Sequence, residues 1–210
     1  MKSVENDLQS TINELGQTVK AVGKIFHQFP WNDKNHYSQW LAQTYYYVRH
    51  TTCFIALMAA HWGVKNRERQ YQALGFLNGE SAHDLLALDD LKHMGLSIKS
   101  FVELPETKVF YQNQYYFIEH VSPAAQLGYA FLLEGIASQE AARAYKIVAE
   151  THGEQAGRFL RIHSEEDVGH YEEGLKLLMG LTREELQAFR DSLRQSAMLY
   201  TQILNSIQKI

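Results

Sequence analysis

HSEEDVGHYEE, residues 163–173, puts two histidines and five carboxylates into about three turns of a helix. Each helical residue turns the chain by about 100°, so positions i, i+4 and i+7 stay within roughly 60° of one another. His163, Asp167 and His170 have that spacing and converge on one side. Two imidazole nitrogens and a carboxylate suit a divalent first-row metal such as iron or manganese. Glu166 has the spacing to stand in for Asp167. Charge runs are also ordinary solvated helix faces, so the reading depends on what the rest of the chain supplies.

Two further patterns supply it. In GESAHDLLALDD, residues 79–90, Glu80 and His83 are spaced i and i+3, which predicts one helix face carrying both. Helical bundles use Glu-x-x-His to deliver one carboxylate and one imidazole to a shared iron. Glu134 directly follows the apolar run YAFLL, where a charge is costly to bury without a partner. Together these are three carboxylates and three imidazoles from three helices, enough for two metal ions with positions open for oxygen or substrate. Such a site keeps a net positive charge and attracts a carboxylate.

Outward from these motifs the pattern is helical throughout. Apolar residues recur at i, i+3 and i+4 spacing, and alternating strand-like runs are almost absent. The 210 residues are 45% apolar and 21% charged with three prolines, the profile of one globular domain spanning 1–210. Helices are expected over about 3–27, 36–61, 66–93 (stopped by Gly95), 123–152 and 154–179, with a short one inside 96–121. A last helix runs to Ile207 behind a Thr182/Glu185 capping box. The formal net charge of -4, with Lys and Arg scattered, argues against nucleic acid and against a polybasic membrane anchor. Without a signal-peptide-like or membrane-spanning run, and with one cysteine, Cys53, the chain is expected to be cytoplasmic.

In the order Glu80-x-x-His83, Glu134, His163-x-x-x-Asp167-x-x-His170, the chain resembles the heme-oxygenase-like diiron oxidases. HYSQWLAQTYYYVRHTTCFIALMAA (36–60) resembles that superfamily's early helix, and HDLLALDDLKHMG (83–95) its third-helix ending. The resemblance implies an all-α, heme-oxygenase-like (TenA-like) bundle of six to seven helices. It also implies two Fe(II), with manganese an acceptable substitute: one metal on Glu80, His83 and His163, the other on Glu134, Asp167 and His170. O2 is the implied co-substrate, acting on a small organic molecule with an external reductant, and the implied assembly is a homodimer. Implied reactions are oxidative decarboxylation or fragmentation of a fatty or amino acid, N-oxygenation, or aminobenzoate synthesis.

Alternatives stay open beside this reading. One is a metal-free ligand-binding or TenA-like protein on the same scaffold; Cys53 lacks the tyrosine-containing motif of thiaminase-like members and reads as a small core residue. Another is a ferritin-like iron-oxidising bundle, opposed by the lack of Glu or Asp in 36–61. His27 is a poor heme ligand, lacking the surrounding motif. Tyr45, Tyr46, Tyr47 and His50 read either as packing or as pocket residues, with packing favoured. Arg49 and Lys146 are candidate carboxylate clamps that read more readily as surface residues. A pocket formed by Phe54, Leu57, Phe131 and Leu132 with few charges would favour an apolar acyl chain, and an added buried arginine or lysine an amino acid.

Overall fold

A computed structural model of the chain describes residues 2–165 and 177–210. These residues form helices α1 (Lys2–His27), α2 (Lys34–Val48), α3 (Thr51–Trp62), α4 (Arg67–Gly79), α5 (His83–His93), α6 (Pro105–His120), α7 (Ala125–His152), α8 (158–165) and α9 (Arg183–Ile207). No strand occurs among the described residues.

Local signals set most boundaries. The Asp33 side chain caps α2 by accepting from His36 N at 2.9 Å. Gly95, at φ 75°, closes α5: Gly95 N–H donates to Lys92 O and Leu96 N–H to Leu91 O, which is a Schellman ending. Gly153, at φ 95°, ends α7. Thr182 and Glu185 form the expected reciprocal capping box ahead of α9. Pro105 begins α6 as its N1 residue, so the short helix expected inside 96–121 is instead 16 residues long.

The amphipathic stripes then choose their partners. Leu15, Val19, Val22 and Phe26 of α1 are buried at helical spacing, as are Leu186, Phe189, Leu193 and Tyr200 of α9. Long α7 packs against both, and α6 closes on α9. Gly128 of α7 lies against the backbone of Phe189 and Leu193, so a Cβ there would collide with the Phe189 carbonyl. The glycine allows the two helices to approach closely.

Two expected long helices are broken. The one over 36–61 divides at Arg49–His50, where His50 N–H donates to Tyr47 O, a tighter i→i−3 bond. No glycine or proline is involved. His50 is held by α6, its ring stacked on Tyr111 at 4.0 Å and its Nδ1 2.9 Å from Tyr115 Oη. This break places Phe54, Ile55, Met58 and Ala59 inward and leaves Cys53 exposed, contrary to the expected core position. The helix over 66–93 divides at Glu80–Ala82. Asn78 and Gly79 are weak helix formers, and Ala82 adopts a left-handed φ of 69°, a conformation that costs a residue with a Cβ about 1 kcal/mol. The expected fifth helix begins with a 3-10 turn, Glu154–Gly157, before α8; from residue 166 to 176 it lies outside the described residues.

Candidate metal and substrate pocket

α7 crosses the middle of the bundle and brings Glu134 to a cavity of about 120 Å³. The walls are apolar, with Trp40, Ile55, Met58, Phe76, Phe131 and Leu160 among them. Of the residues expected to form this wall, Phe131 does so; Phe54, Leu57 and Leu132 do not line it. Glu80 enters from the end of α4, His163 from α8, and Tyr47 and Tyr129 from α2 and α7.

Glu80 and His83 do not share a helix face, as their spacing suggested. Glu80 is the C-cap of α4 and His83 the first residue of α5, with left-handed Ala82 between them. The turn still brings the pair together: His83 Nδ1 is 3.6 Å from Glu80 Oε2. The His83 and His163 rings meet edge to face with centroids 5.0 Å apart. His163 also stacks on Phe159 at 4.1 Å, and its Nδ1 is 2.8 Å from the Phe159 carbonyl oxygen. A carbonyl only accepts, so the ring proton resides on Nδ1 and the lone pair on Nε2. Metal-ligating histidines are oriented by such a bond from their other nitrogen.

Glu134 has the most distinctive electrostatics. Burial, reinforced by the Glu80 carboxylate, pushes its carboxyl up to about 8. Its buried Oε2 has no hydrogen-bond partner among the described residues. Buried carboxylates ordinarily acquire partners, so this oxygen is open to a cation. The Tyr47 phenol is pushed up to about 12 by burial, and that of Tyr129 is also well above its ordinary value through burial, Tyr47 and Glu80. Both therefore keep their protons at neutral pH.

The structure thus brings Glu80, Glu134 and His163 to the cavity wall, with His83 beside Glu80 and His163 though not itself lining the cavity. They do not close into a compact set: among the described residues no three His, Cys, Asp or Glu side chains are arranged to hold a metal ion. Asp167 and His170, and Glu166 as the possible substitute, lie outside the described residues. The mixed imidazole and carboxylate donors, with the Glu134 oxygen that has no partner among the described residues, fit a divalent first-row metal such as iron or manganese.

Other sequence candidates have structural roles. Tyr46 Oη donates to the Phe101 carbonyl at 2.9 Å. Arg49 is exposed, its guanidinium 5.6 and 5.3 Å from the ring centroids of Tyr45 and Tyr46, and Lys146 is exposed, so neither reaches the cavity. His27 Nδ1 meets Glu140 Oε2 at 2.7 Å, tying α1 to α7. Two pocket-related residues escaped sequence reasoning. Gln126 lines the cavity. Asp90, fully buried, accepts from Phe159 N–H at 2.9 Å and so fastens the start of α8 to α5. The only sequence signal for Asp90 is an acidic pair closing an apolar run.

A family model described as iron-containing redox enzyme matches residues 38–202, and the chain belongs to that family. Solved structures share the fold. A domain of unknown function with a heme oxygenase-like fold from Shewanella denitrificans matches with a TM-score of 0.82 and 22% identity, over 94% of this chain and 92% of that one. A TenA homolog from Pseudomonas syringae pv. tomato gives 0.80 and 13%, over 96% and 92%. A TenA homologue from Pyrococcus furiosus gives 0.73 and 15%, over 94% and 99%. No curated protein matches the sequence. The all-α heme-oxygenase-like architecture read from the sequence is therefore the architecture of the chain. No helix among the described residues is long and apolar enough to cross a membrane.

Proposed function

We propose that the chain is a non-heme iron oxidase that uses O2 to oxidise a small organic molecule held in the central cavity. The observation that carries this reading is the Glu134 carboxyl group, buried in an apolar wall with one oxygen lacking a partner among the described residues and its affinity for a proton raised. Glu80, His83 and His163 would hold one iron. Glu134 would hold a second, with Asp167 and His170 completing the set on the spacing of HSEEDVGHYEE. Bound iron supplies the redox equivalents for reducing O2.

The chain's own residues prepare the site. The Phe159 carbonyl fixes the His163 tautomer so that Nε2 carries the lone pair. Glu134 gives up its proton when a cation binds, which makes affinity rise with pH toward about 8. Trp40, Phe76, Phe131 and Leu160 keep bulk water from the reacting centre. Tyr47 and Tyr129 remain protonated and can donate hydrogen bonds to oxygen-bearing groups. Electrons beyond those of the substrate come from an external reductant, and the chain functions as a homodimer.

A second reading takes the cavity as a metal-free ligand site on a TenA-like scaffold. It is favoured by the absence, among the described residues, of a three-ligand cluster. A cysteine nucleophile in the cavity is not part of it, because the only cysteine, Cys53, is exposed and does not line the cavity.

An anaerobic Fe(II) titration of metal-free protein, with His163→Ala and Asp167→Ala beside the native chain, separates the two. About two irons per chain, reduced by each substitution and followed on O2 exposure by a transient absorbance, are expected of the oxidase. A native chain that takes up no iron, or substitutions without effect, would leave the metal-free reading.

A further inference from the structure

Besides Glu134, two cavity-lining side chains of α7 carry a buried polar atom with no hydrogen-bond partner among the described residues: Tyr129, a phenol that the reading above already uses as a donor, and Gln126. Gln126 is only 2% exposed and lines the same cavity, and its Oε1 has no hydrogen-bond partner among the described residues. It stands on α7 two turns before Glu134, about 12 Å along the helix axis at a rise of 1.5 Å per residue. Between them the α7 wall of the cavity includes Leu127, Ala130, Phe131 and Leu133, with the Tyr129 hydroxyl as its one polar side-chain group. The α7 wall is thus mostly apolar, and Gln126 is its one carboxamide.

We propose that Gln126 is a specificity-determining residue that binds a neutral hydroxyl group on an otherwise apolar, ring-sized substrate. The proposal rests on the oxidase reading for the reaction, though not for the binding. A buried amide left without partners is costly, and a ligand that satisfies it is selected over one that does not. A carboxamide presents an acceptor on one branch and donors on the other, whichever way it is turned. A hydroxyl both donates and accepts, so it satisfies either branch. A carboxylate at this end would be a charge in a mostly apolar wall with no lysine or arginine lining the cavity among the described residues. The volume of about 120 Å³ is of the order of engineered cavities that take up a single benzene ring. Anchoring the hydroxyl at Gln126 turns the remaining carbon frame toward Glu134 and Glu80, so oxidation falls on the end of the molecule away from its hydroxyl.

Phenol and toluene are nearly the same shape and differ in the group Gln126 would read. Calorimetric titration of each into iron-free protein tests the inference separately from any iron chemistry. The native chain is expected to bind phenol about tenfold more tightly than toluene, the size of one well-formed hydrogen bond. Gln126→Leu and Gln126→Met, both removing the lone amide from an apolar wall, are expected to lose that preference while toluene affinity stays level or rises. A native chain that binds neither probe, or that binds them equally, overturns the proposal. So does a preference that survives in both variants, which would place the hydroxyl on another group such as the Tyr129 phenol. Phenol selectivity without iron uptake would instead retain the Gln126 assignment and remove the oxidase.

Discussion

Two buried polar regions of this bundle follow opposite rules. Where α2 meets the start of α6, Gln43 is paired on both branches of its amide: its Oε1 accepts from Leu104 N–H at 3.0 Å and Thr107 Oγ1 at 2.8 Å, and its Nε2 donates to Val102 O at 3.0 Å. Gln114, between α6 and α9, is likewise paired with Ser192 and Ser196. In the central cavity, Glu134 Oε2 and Gln126 Oε1 are just as inaccessible and have no partner among the described residues. The first region is made of polar groups that the fold requires and satisfies. The second is made of polar groups that the fold tolerates, at a cost in stability, and that a bound species would satisfy.

The largest effect that would break this contrast is at Gln43. Gln43→Leu removes the partner of a buried hydroxyl and of a part-buried N–H and carbonyl, and is expected to lower the unfolding free energy by about 3 kcal/mol in urea denaturation. Glu134→Leu should have the opposite sign in metal-free protein, raising stability by about 1 kcal/mol, because an uncompensated buried carboxyl is removed. A loss at Glu134 comparable to that at Gln43 would put both residues in the structural class.

Asp90 sits between the two regimes and sharpens the contrast through pH. Its Oδ2 is paired with Phe159 N–H while Oδ1 has no partner among the described residues, and burial pushes its carboxyl up to about 7. Over the range from about 4 to 7 the folded chain therefore keeps a proton that the unfolded chain has released. Stability is expected to fall as pH rises through that window and to level off above it. Asp90→Asn, which retains an acceptor for Phe159 N–H, should flatten the slope. Unchanged pH dependence in the variant would show that Asp90 is ionised in the fold.

The smallest effect is expected at Ala82. Ala82→Gly relieves a left-handed φ in a residue bearing a Cβ and should raise the thermal midpoint by no more than the equivalent of about 1 kcal/mol. Strain of this kind clusters at functional sites, and here it lies between Glu80 and His83. A lower midpoint for the glycine variant would mean that the turn carries no strain.

The sequence was most informative where structure is set locally. The α1 and α9 stripes, Gly95, Gly153 and the Thr182 capping box act within a few residues of themselves, and each could be read directly. The breaks at Arg49–His50 and Glu80–Ala82 could not, because helical periodicity continues across both. The first is fixed by Tyr111 and Tyr115 of α6 acting on His50, a contact 65 residues away in sequence for Tyr115. The site shows the same division. Glu80, Glu134 and His163 were legible from residue type and spacing, since charge beside an apolar run is conspicuous. Gln126 was not, because a lone glutamine is unremarkable until its neighbours leave it unpaired in a cavity wall.

Anaerobic thermal unfolding of the native chain and Glu134→Gln, with and without Fe(II), shows whether Glu134 is held in reserve for a metal ion. Without iron, Glu134→Gln should unfold at the same temperature as the native chain or higher. With Fe(II), the native midpoint should rise and that of the variant should not, because a ligand stabilises only the state that binds it. A variant that is less stable without iron, together with midpoints that respond alike to Fe(II), would contradict the account and make Glu134 an ordinary member of the buried polar network.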